Sequence, residues 1–166
     1  MNKPPLNPRV KELIASLGLA PHPEGGYYRE IFRSRRRVAH PDTGGDRSAL
    51  TGIYFLLAAG EVSRWHRCRS DEIWHYHEGD PLELWTADPG CGRIERRLLG
   101  PAGDGGEPVR TAAAGLWQAA DTTGDYTLVG CAVGPGFEFE DFEFLSDCPE
   151  AAGELQRRHP EAARFL

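Results

Sequence analysis

The stretch that decides the fold runs from Gly60 to Gly79 and reads GEVSRWHRCRSDEIWHYHEG. In it, one residue separates His66 from Cys68, and Glu72 follows a short polar turn. Side chains on a β-strand alternate between two faces, so His66 and Cys68 point the same way. We expect Glu72 to return on the neighbouring strand and to face the same interior. The spacing therefore predicts that an imidazole, a thiol and a carboxylate meet inside a small β-barrel.

Length and composition exclude several classes of protein. The 166 residues fit one domain, taken here as 1–166 with a barrel core at about 27–145. A formal net charge of -6 argues against a nucleic-acid partner, and the arginines between 29 and 37 are read as a solvated face. No apolar run is long enough for a membrane span, and residues 1–5 lack the apolar stretch of a signal peptide. The four cysteines include no C-x-x-C pair, so reduced thiols and a cytoplasmic location are expected.

The apolar pattern predicts a mostly β chain with helical ends. Val10, Leu13, Ile14 and Leu17 recur at helical spacing, which predicts a helix from Pro8 to Leu17. Strand candidates recur at intervals of about ten residues, separated by turns, as is typical of an antiparallel barrel or sandwich. They cover 27–32, 50–57, 61–68, 72–78, 82–87, 93–99, 109–113, 116–120, 126–133 and 137–144. Short helices are expected from about residue 147 to the end of the chain.

Several motifs resemble those of the cupin superfamily. The stretch 60–79 is similar to its first motif, which usually carries two histidines where this chain has His66 and Cys68. The runs HPEGGYYRE (22–30), IYFLL (53–57), SDEIW (70–74) and PGF (135–137) are similar to those of cupin family 5, small cupins catalogued as a domain of unknown function. The resemblance implies an all-β fold, a double-stranded β-helix or jelly-roll barrel with short N- and C-terminal helices. It also implies a homodimer and a pocket in the barrel, without implying a settled reaction.

The same resemblance bears on whether a metal is bound. Of the four usual ligand positions, His66 and Glu72 match, whereas Cys68 and Gln118 depart, the latter standing at the place of a third histidine. An amide oxygen is a weak ligand, and a thiolate shifts preference toward zinc or copper. We therefore expect no firmly held cofactor. A divalent metal, if bound, would take His66 and Glu72 as ligands.

Further site residues follow from strand parity and from the resemblance. His66 is expected to act as a general base held or charged by Glu72, with Tyr28 or Tyr54 as the acid. Alternation from Glu72 turns Trp74 and Tyr76 inward and the pair His75 and His77 outward. Cys68 is either a small buried hydrophobe or a reactive thiol whose pKa is lowered. Arg64 shares parity with His66 and either binds an anionic group or forms an outward salt bridge. The predicted ligand-binding set is Arg64, Cys68, Trp74, Tyr76, Gln118, Glu30 and Tyr54.

Three classes of function stay open at this point. The first is an enzyme acting on a small polar molecule, most simply a metal-independent isomerase or epimerase. The second is a non-catalytic binding or sensor module that uses the same pocket. The third is a metal-dependent dioxygenase. For His66 and Glu72, a purely structural hydrogen-bonded pair is the alternative to a role in the pocket. The expected partners are a small-molecule ligand and a second copy of the chain, with no nucleic acid and no membrane.

Overall fold

A computed structural model describes residues 6–166, so the signal-peptide prediction for residues 1–5 lies outside the described residues. The chain is mostly β, with one helix before the strands, α1 (Pro8–Leu17), and one after them, α2 (Pro149–Arg158). The strands are β1 (Ala20–Pro21), β2 (Tyr27–Arg33), β3 (Arg37–Ala39), β4 (Asp46–Ser48), β5 (Thr51–Ala58), β6 (Val62–Cys68), β7 (Asp71–Gly79), β8 (Leu82–Ala87), β9 (Ile94–Leu99), β10 (Gly106–Glu107), β11 (Val109–Ala112), β12 (Trp117–Thr122), β13 (Tyr126–Gly134) and β14 (Phe142–Phe144). Short 3-10 helices cover Phe139–Asp141, Leu145–Asp147 and Pro160–Phe165. No helix in the described part of the chain is long and apolar enough to cross a membrane.

Two six-stranded sheets form the body of the molecule. One has the order β1-β2-β5-β13-β7-β11 and the other the order β10-β9-β8-β12-β6-β14. Although β6 and β7 follow each other in the chain, they lie in different sheets. The expectation that Glu72 returns on a strand neighbouring His66 is therefore wrong, because the two residues approach from opposite sheets. The arrangement is a two-sheet β-sandwich, and its closure into a jelly-roll barrel stays a prediction.

A β-bulge in β6 changes which side chains face the interior. His66 pairs with Gln118, but Ser63 pairs with Ala120, so β6 has one residue more than β12 over this interval. An extra residue breaks the alternation of faces. Trp65 points away from the pocket, as alternation requires for the neighbour of His66, and packs on Phe165 of the C-terminal 3-10 helix. The prediction that Arg64 shares the inward face with His66 is wrong, because the extra residue shifts the alternation between Ser63 and His66.

Three hydrophobic clusters hold the elements together. The cluster between the sheets includes Phe55, Trp74 and Val129, all of them buried. A second cluster includes the other three tryptophans, Trp65, Trp85 and Trp117, and packs against the C-terminal helices. The third lies beneath α1, whose bounds confirm the predicted helix. All four tryptophans are thus core residues.

The interval 137–144 differs from its predicted single strand. It forms a 3-10 turn at Phe139–Asp141 and then the three residues of β14. Tertiary contacts hold this shape: Thr51 Oγ1 accepts the N–H of Phe137 at 2.9 Å, and the Arg47 guanidinium binds both carboxylate oxygens of Asp141. An exposed stretch carries the arginines between 29 and 37, as predicted, and among them Arg33 pairs with Glu30. The hairpin of β3 and β4 was not predicted.

Candidate functional site

A small pocket lies between the two sheets beside His66. Its volume is about 40 Å³. A cavity of that size has room for about three water-sized groups. The residues that line it are His22, Glu24, Tyr28, Glu30, Thr51, Ile53, Phe55, His66, Cys68, Glu72, Cys131, Val133, Phe137 and Phe142. Of the predicted site residues, the pocket brings together Tyr28, Glu30, His66, Cys68 and Glu72.

His66 is held with one ring nitrogen turned toward a carboxyl group. The side chain is buried, and its Nδ1 lies 2.7 Å from the backbone carbonyl oxygen of Arg64. A carbonyl oxygen only accepts hydrogen bonds, so Nδ1 carries the proton, and Nε2 of the neutral ring has a free lone pair. Nε2 lies 3.3 Å from Oε2 of Glu24. Burial lowers the pKa of His66, which favours this neutral form.

Glu24 is a site residue that the sequence reading missed. Its carboxyl group is buried and accepts a hydrogen bond from the Ser63 hydroxyl at 2.9 Å. Burial raises the pKa of Glu24, so the pocket favours its neutral acid form. The backbone N–H of Glu24 donates a hydrogen bond to Nδ1 of the nearby His22 ring at 3.2 Å. Burial lowers the pKa of His22. The pocket thus holds two buried imidazoles and two buried carboxyl groups, counting Glu72.

The turn that carries His22 and Glu24 is shaped by two glycines. Gly25 and Gly26 have φ of 116° and 68°, in the region that favours glycine. They press so closely on the neighbouring strands that a Cβ at Gly25 would meet the carbonyl oxygen of Val62 at 2.0 Å. The sequence signal that could have revealed this site was two titratable residues inside a Pro/Gly-rich segment, HPEGG.

Glu72 is held from behind by residues that do not line the pocket. The Gln118 amide donates to Oε2 of Glu72 at 2.5 Å, and the Trp74 indole N–H donates to the Gln118 oxygen at 3.1 Å. All three side chains are buried. Burial raises the pKa of Glu72. Trp74 and Gln118, both predicted to contact a ligand, therefore position Glu72 instead.

Two thiols contribute to the pocket wall as neutral groups. Cys68 comes from β6 and Cys131 from β13, and both are buried free thiols. Burial, with the nearby Glu72 and Glu24, raises the pKa of both thiols well above the ordinary value. The reading of Cys68 as a thiol with a lowered pKa is therefore wrong. Its other reading, a small buried hydrophobe, agrees with the structure.

Three other predicted ligand contacts lie away from the pocket. The Arg64 guanidinium stacks 4.2 Å from the ring centroid of Phe144 and donates to the Pro23 carbonyl oxygen. Tyr54 points to the outer face of its sheet, where its ring meets His77 at 6.0 Å, because Ile53 and Phe55 take the inward positions of β5. The Tyr76 hydroxyl donates to the carbonyl oxygen of Gly79. His77 on the outer face agrees with the predicted direction of the His75 and His77 pair.

Comparison with known proteins assigns the chain to a family. The family model described as "Cupin superfamily (DUF985)" matches residues 11–145. The chain belongs to this family. A hypothetical protein from Leishmania major is 32% identical, with 94% of this chain and 95% of that chain covered and a TM-score of 0.80. A protein from Shewanella oneidensis is 34% identical, with 93% and 92% covered and a TM-score of 0.78.

More distant cupins share only the fold. Oxalate decarboxylase from Bacillus subtilis is 17% identical and covers 78% of this chain and 30% of its own, with a TM-score of 0.56. That likeness carries the two-sheet architecture to this chain and nothing of the reaction. The search of curated proteins gave no match.

The metal chemistry of the wider superfamily does not fit the donors present here. Among residues 6–166, no group of three or more His, Cys, Asp or Glu side chains is arranged to hold a metal ion. The Gln118 amide, at the place of the third histidine, is engaged by Trp74 and Glu72. The side chains at the usual ligand positions therefore do not fit a firmly held metal ion.

Proposed function

We propose that this cupin binds a small polar molecule in the pocket and catalyses metal-independent proton transfer of the isomerase or epimerase kind. The observation that carries the proposal is the bare Nε2 of His66, buried in the pocket and 3.3 Å from the Glu24 carboxyl. A general base needs an unprotonated atom within reach of substrate, and the hydrogen bond from Nδ1 to Arg64 supplies that orientation. The same contact argues against a purely structural pair of His66 and Glu72.

Glu24 takes the role of the acid in this proposal. His66 Nε2 removes a proton from the substrate, and the electron pair of the broken bond stays on the substrate. The neutral carboxylic acid of Glu24 returns a proton to the substrate, which leaves a carboxylate beside an imidazolium. A proton then crosses the 3.3 Å contact from Nε2 to Oε2 and restores both groups, so no proton is gained or lost overall. Glu72 keeps the predicted supporting role, and Tyr28 lies at the pocket wall, edge-on to His22.

The pocket lining favours one class of ligand. Among residues 6–166, no lysine or arginine lines the pocket, so no ammonium or guanidinium group there compensates an anionic ligand group. Carboxyl and imidazole groups instead offer acceptors and donors for hydroxyl groups. The walls of Ile53, Phe55 and Phe142 suit the C–H surface of the same molecule. We therefore propose that the end of the ligand that enters the pocket is neutral and hydroxylated.

Hydrogen exchange from D2O tests the reaction class before the product is known. Purified protein is incubated in D2O with pools of small hydroxylated carbonyl compounds, and mass spectrometry detects deuterium on carbon. We expect one class to exchange with wild type and not with His66→Ala, while His75→Ala on the outer face serves as the matched control. Exchange that persists in His66→Ala would make the assignment of the base wrong.

The non-catalytic alternative is favoured by one observation, the small volume of the pocket. A binding or sensor module needs no room for a reacting geometry, and 40 Å³ admits only a few atoms in the described conformation. Thermal shift by a compound that shows no deuterium exchange in wild type would support this alternative. A metal-dependent dioxygenase is not favoured, because the donor set does not fit a firmly held redox metal.

We also propose that the protein is a cytoplasmic homodimer. Exposed apolar side chains Ile31, Phe32 and Leu50 lie on β2 and just before β5, and a second copy would cover such a surface. The four free cysteines suit a reducing compartment. Sedimentation at several concentrations tests the dimer, and a monomer at the highest concentration would contradict it.

A further inference from the structure

A second, wider cavity adjoins the pocket. Its volume is about 500 Å³, and it opens to solvent. Asp42, Arg67, Arg69, Ala114, Gly115, Glu140, Asp141 and Glu143 line it, together with two residues that also line the inner pocket, Cys68 and Phe142. Cys131, by contrast, lines only the inner pocket. The shared pair therefore lies between the solvent-exposed cavity and His66.

The Phe142 ring occupies the space directly beside the proposed base. It stacks on the His66 ring with centroids 5.1 Å apart and planes 20° from parallel. Its backbone pairs with Cys68 in the ladder between β14 and β6, so the two shared residues are cross-strand partners. Phe142 is only half-buried, which leaves one side of it toward the outer cavity.

The segment that carries Phe142 is anchored by its neighbour in the chain. The Arg47 guanidinium binds the Asp141 carboxylate with contacts of 2.7 Å and 3.1 Å, and both side chains are buried. A bidentate pair of this kind fixes orientation as well as position. Phe144 meets the Phe142 ring edge-on at 4.8 Å but lines neither cavity, so it offers a matched aromatic control.

We propose that Phe142 is a size-selective gate between the outer cavity and His66. The ligand would place a head group of a few heavy atoms at His66 and leave its larger polar part in the outer cavity. In that cavity the carboxylates of Asp42, Glu140, Asp141 and Glu143 outnumber the guanidinium groups of Arg67 and Arg69, so hydrogen bonding to a neutral polar part, rather than attraction of an anion, would hold it. The proposal deepens the proposed function by naming the shape of its ligand, and the gate can be tested without any turnover.

Thiol labelling reports on the gate directly. Cys131 lies behind Phe142, whereas the buried Cys91 lies outside both cavities and reports global unfolding. Wild type, Phe142→Ala, Phe142→Leu and Phe144→Ala are treated with methyl methanethiosulfonate and with a bulky maleimide, and mass spectrometry follows each cysteine. We expect Phe142→Ala to speed labelling of Cys131 by both reagents by about tenfold or more. Phe142→Leu should speed the small reagent only, and Phe144→Ala should change neither rate.

Each other outcome would contradict the gate. Cys131 rates that stay at the wild-type value in folded Phe142→Ala would show that the ring does not control access, and an equal increase in Phe144→Ala would show general loosening. If Phe142→Ala also speeds the labelling of Cys91, that variant has unfolded, and the test then rests on Phe142→Leu. In that case, equal acceleration of Cys131 labelling by the small and the bulky reagent in Phe142→Leu would contradict the gate. Because labelling does not involve catalysis, failure of the gate is distinguishable from failure of the acid–base proposal.

Discussion

Replacing Gly26 by alanine tests whether the HPEGG turn is held in place by close contact. Gly26 and Gly44 both have φ of 68°. A Cβ at Gly26 would lie 2.5 Å from the Leu56 carbonyl oxygen and 2.8 Å from Cδ2 of Leu57. A Cβ at Gly44 would meet nothing within 4 Å. Gly44→Ala therefore measures the cost of the left-handed backbone alone, and Gly26→Ala measures that cost plus the steric overlap.

The structure gives the size of the difference. The left-handed conformation should cost each alanine variant about 1–2 kcal/mol. The overlap at Gly26 involves backbone, which cannot rotate away, and should add about 1–3 kcal/mol by analogy with overpacked interiors. The loss of chain freedom in the unfolded state is common to both variants and cancels in the comparison. We thus expect Gly26→Ala to lower the free energy of unfolding by about 1–3 kcal/mol more than Gly44→Ala.

Urea unfolding followed by tryptophan fluorescence measures this difference. With slopes of about 1–3 kcal/mol per molar urea, the midpoint of Gly26→Ala should lie roughly 1 M below that of Gly44→Ala. Histidine NMR provides a second readout, since displacement of the turn should alter the contact between Glu24 and His66. Equal midpoints for the two variants, with an unchanged His66 signal, would refute the view that packing of this turn builds the site.

Three further predictions concern the groups behind the pocket and its donor set. Burial raises the pKa of Glu72, because the folded state favours the neutral carboxyl group over the carboxylate. The stability that goes with the neutral form is fully present below the unfolded pKa and is lost as pH rises through the folded pKa. Glu72→Gln should therefore gain stability relative to wild type as pH rises above the ordinary pKa of a glutamate side chain, and a pH-independent difference in urea unfolding would count against this. Trp74→Phe removes the N–H group whose hydrogen bond Gln118 accepts, and it should lower the free energy of unfolding by about 1–3 kcal/mol more than Trp85→Phe does. Trp85 is the control because its indole nitrogen has no hydrogen-bond partner within residues 6–166. Equal losses of stability in thermal unfolding would contradict this prediction. Elemental analysis should find well below one metal ion per chain, and an oxygen electrode should detect no oxygen consumption by the purified protein. About one iron, manganese or nickel ion per chain, lost in His66→Ala, would reverse the conclusion that no metal is firmly held.

The family, the spacing of the strands and part of the site were predictable from the amino-acid sequence. Helical spacing gave α1 with its observed bounds, and turn residues gave most strands to within a residue or two. The prediction that His66, Cys68 and Glu72 face a common interior also agrees with the structure. These successes share a cause, since side-chain direction within one regular strand follows from a period of two and needs no knowledge of distant residues.

Which further residues lie beside His66, Cys68 and Glu72 depends on contacts between segments that are far apart in the chain. Arg64 points away from the pocket because of the bulge in β6, and Tyr54 lies on the outer face of β5. Both positions depend on strand pairing between residues that are far apart in the chain. Glu24 entered the pocket because a turn with no regular period packs against two strands through its glycines. Periodicity carries no information about such a turn. The raised pKa of Glu24 and the lowered pKa of His66 likewise follow from burial, which only the folded chain creates.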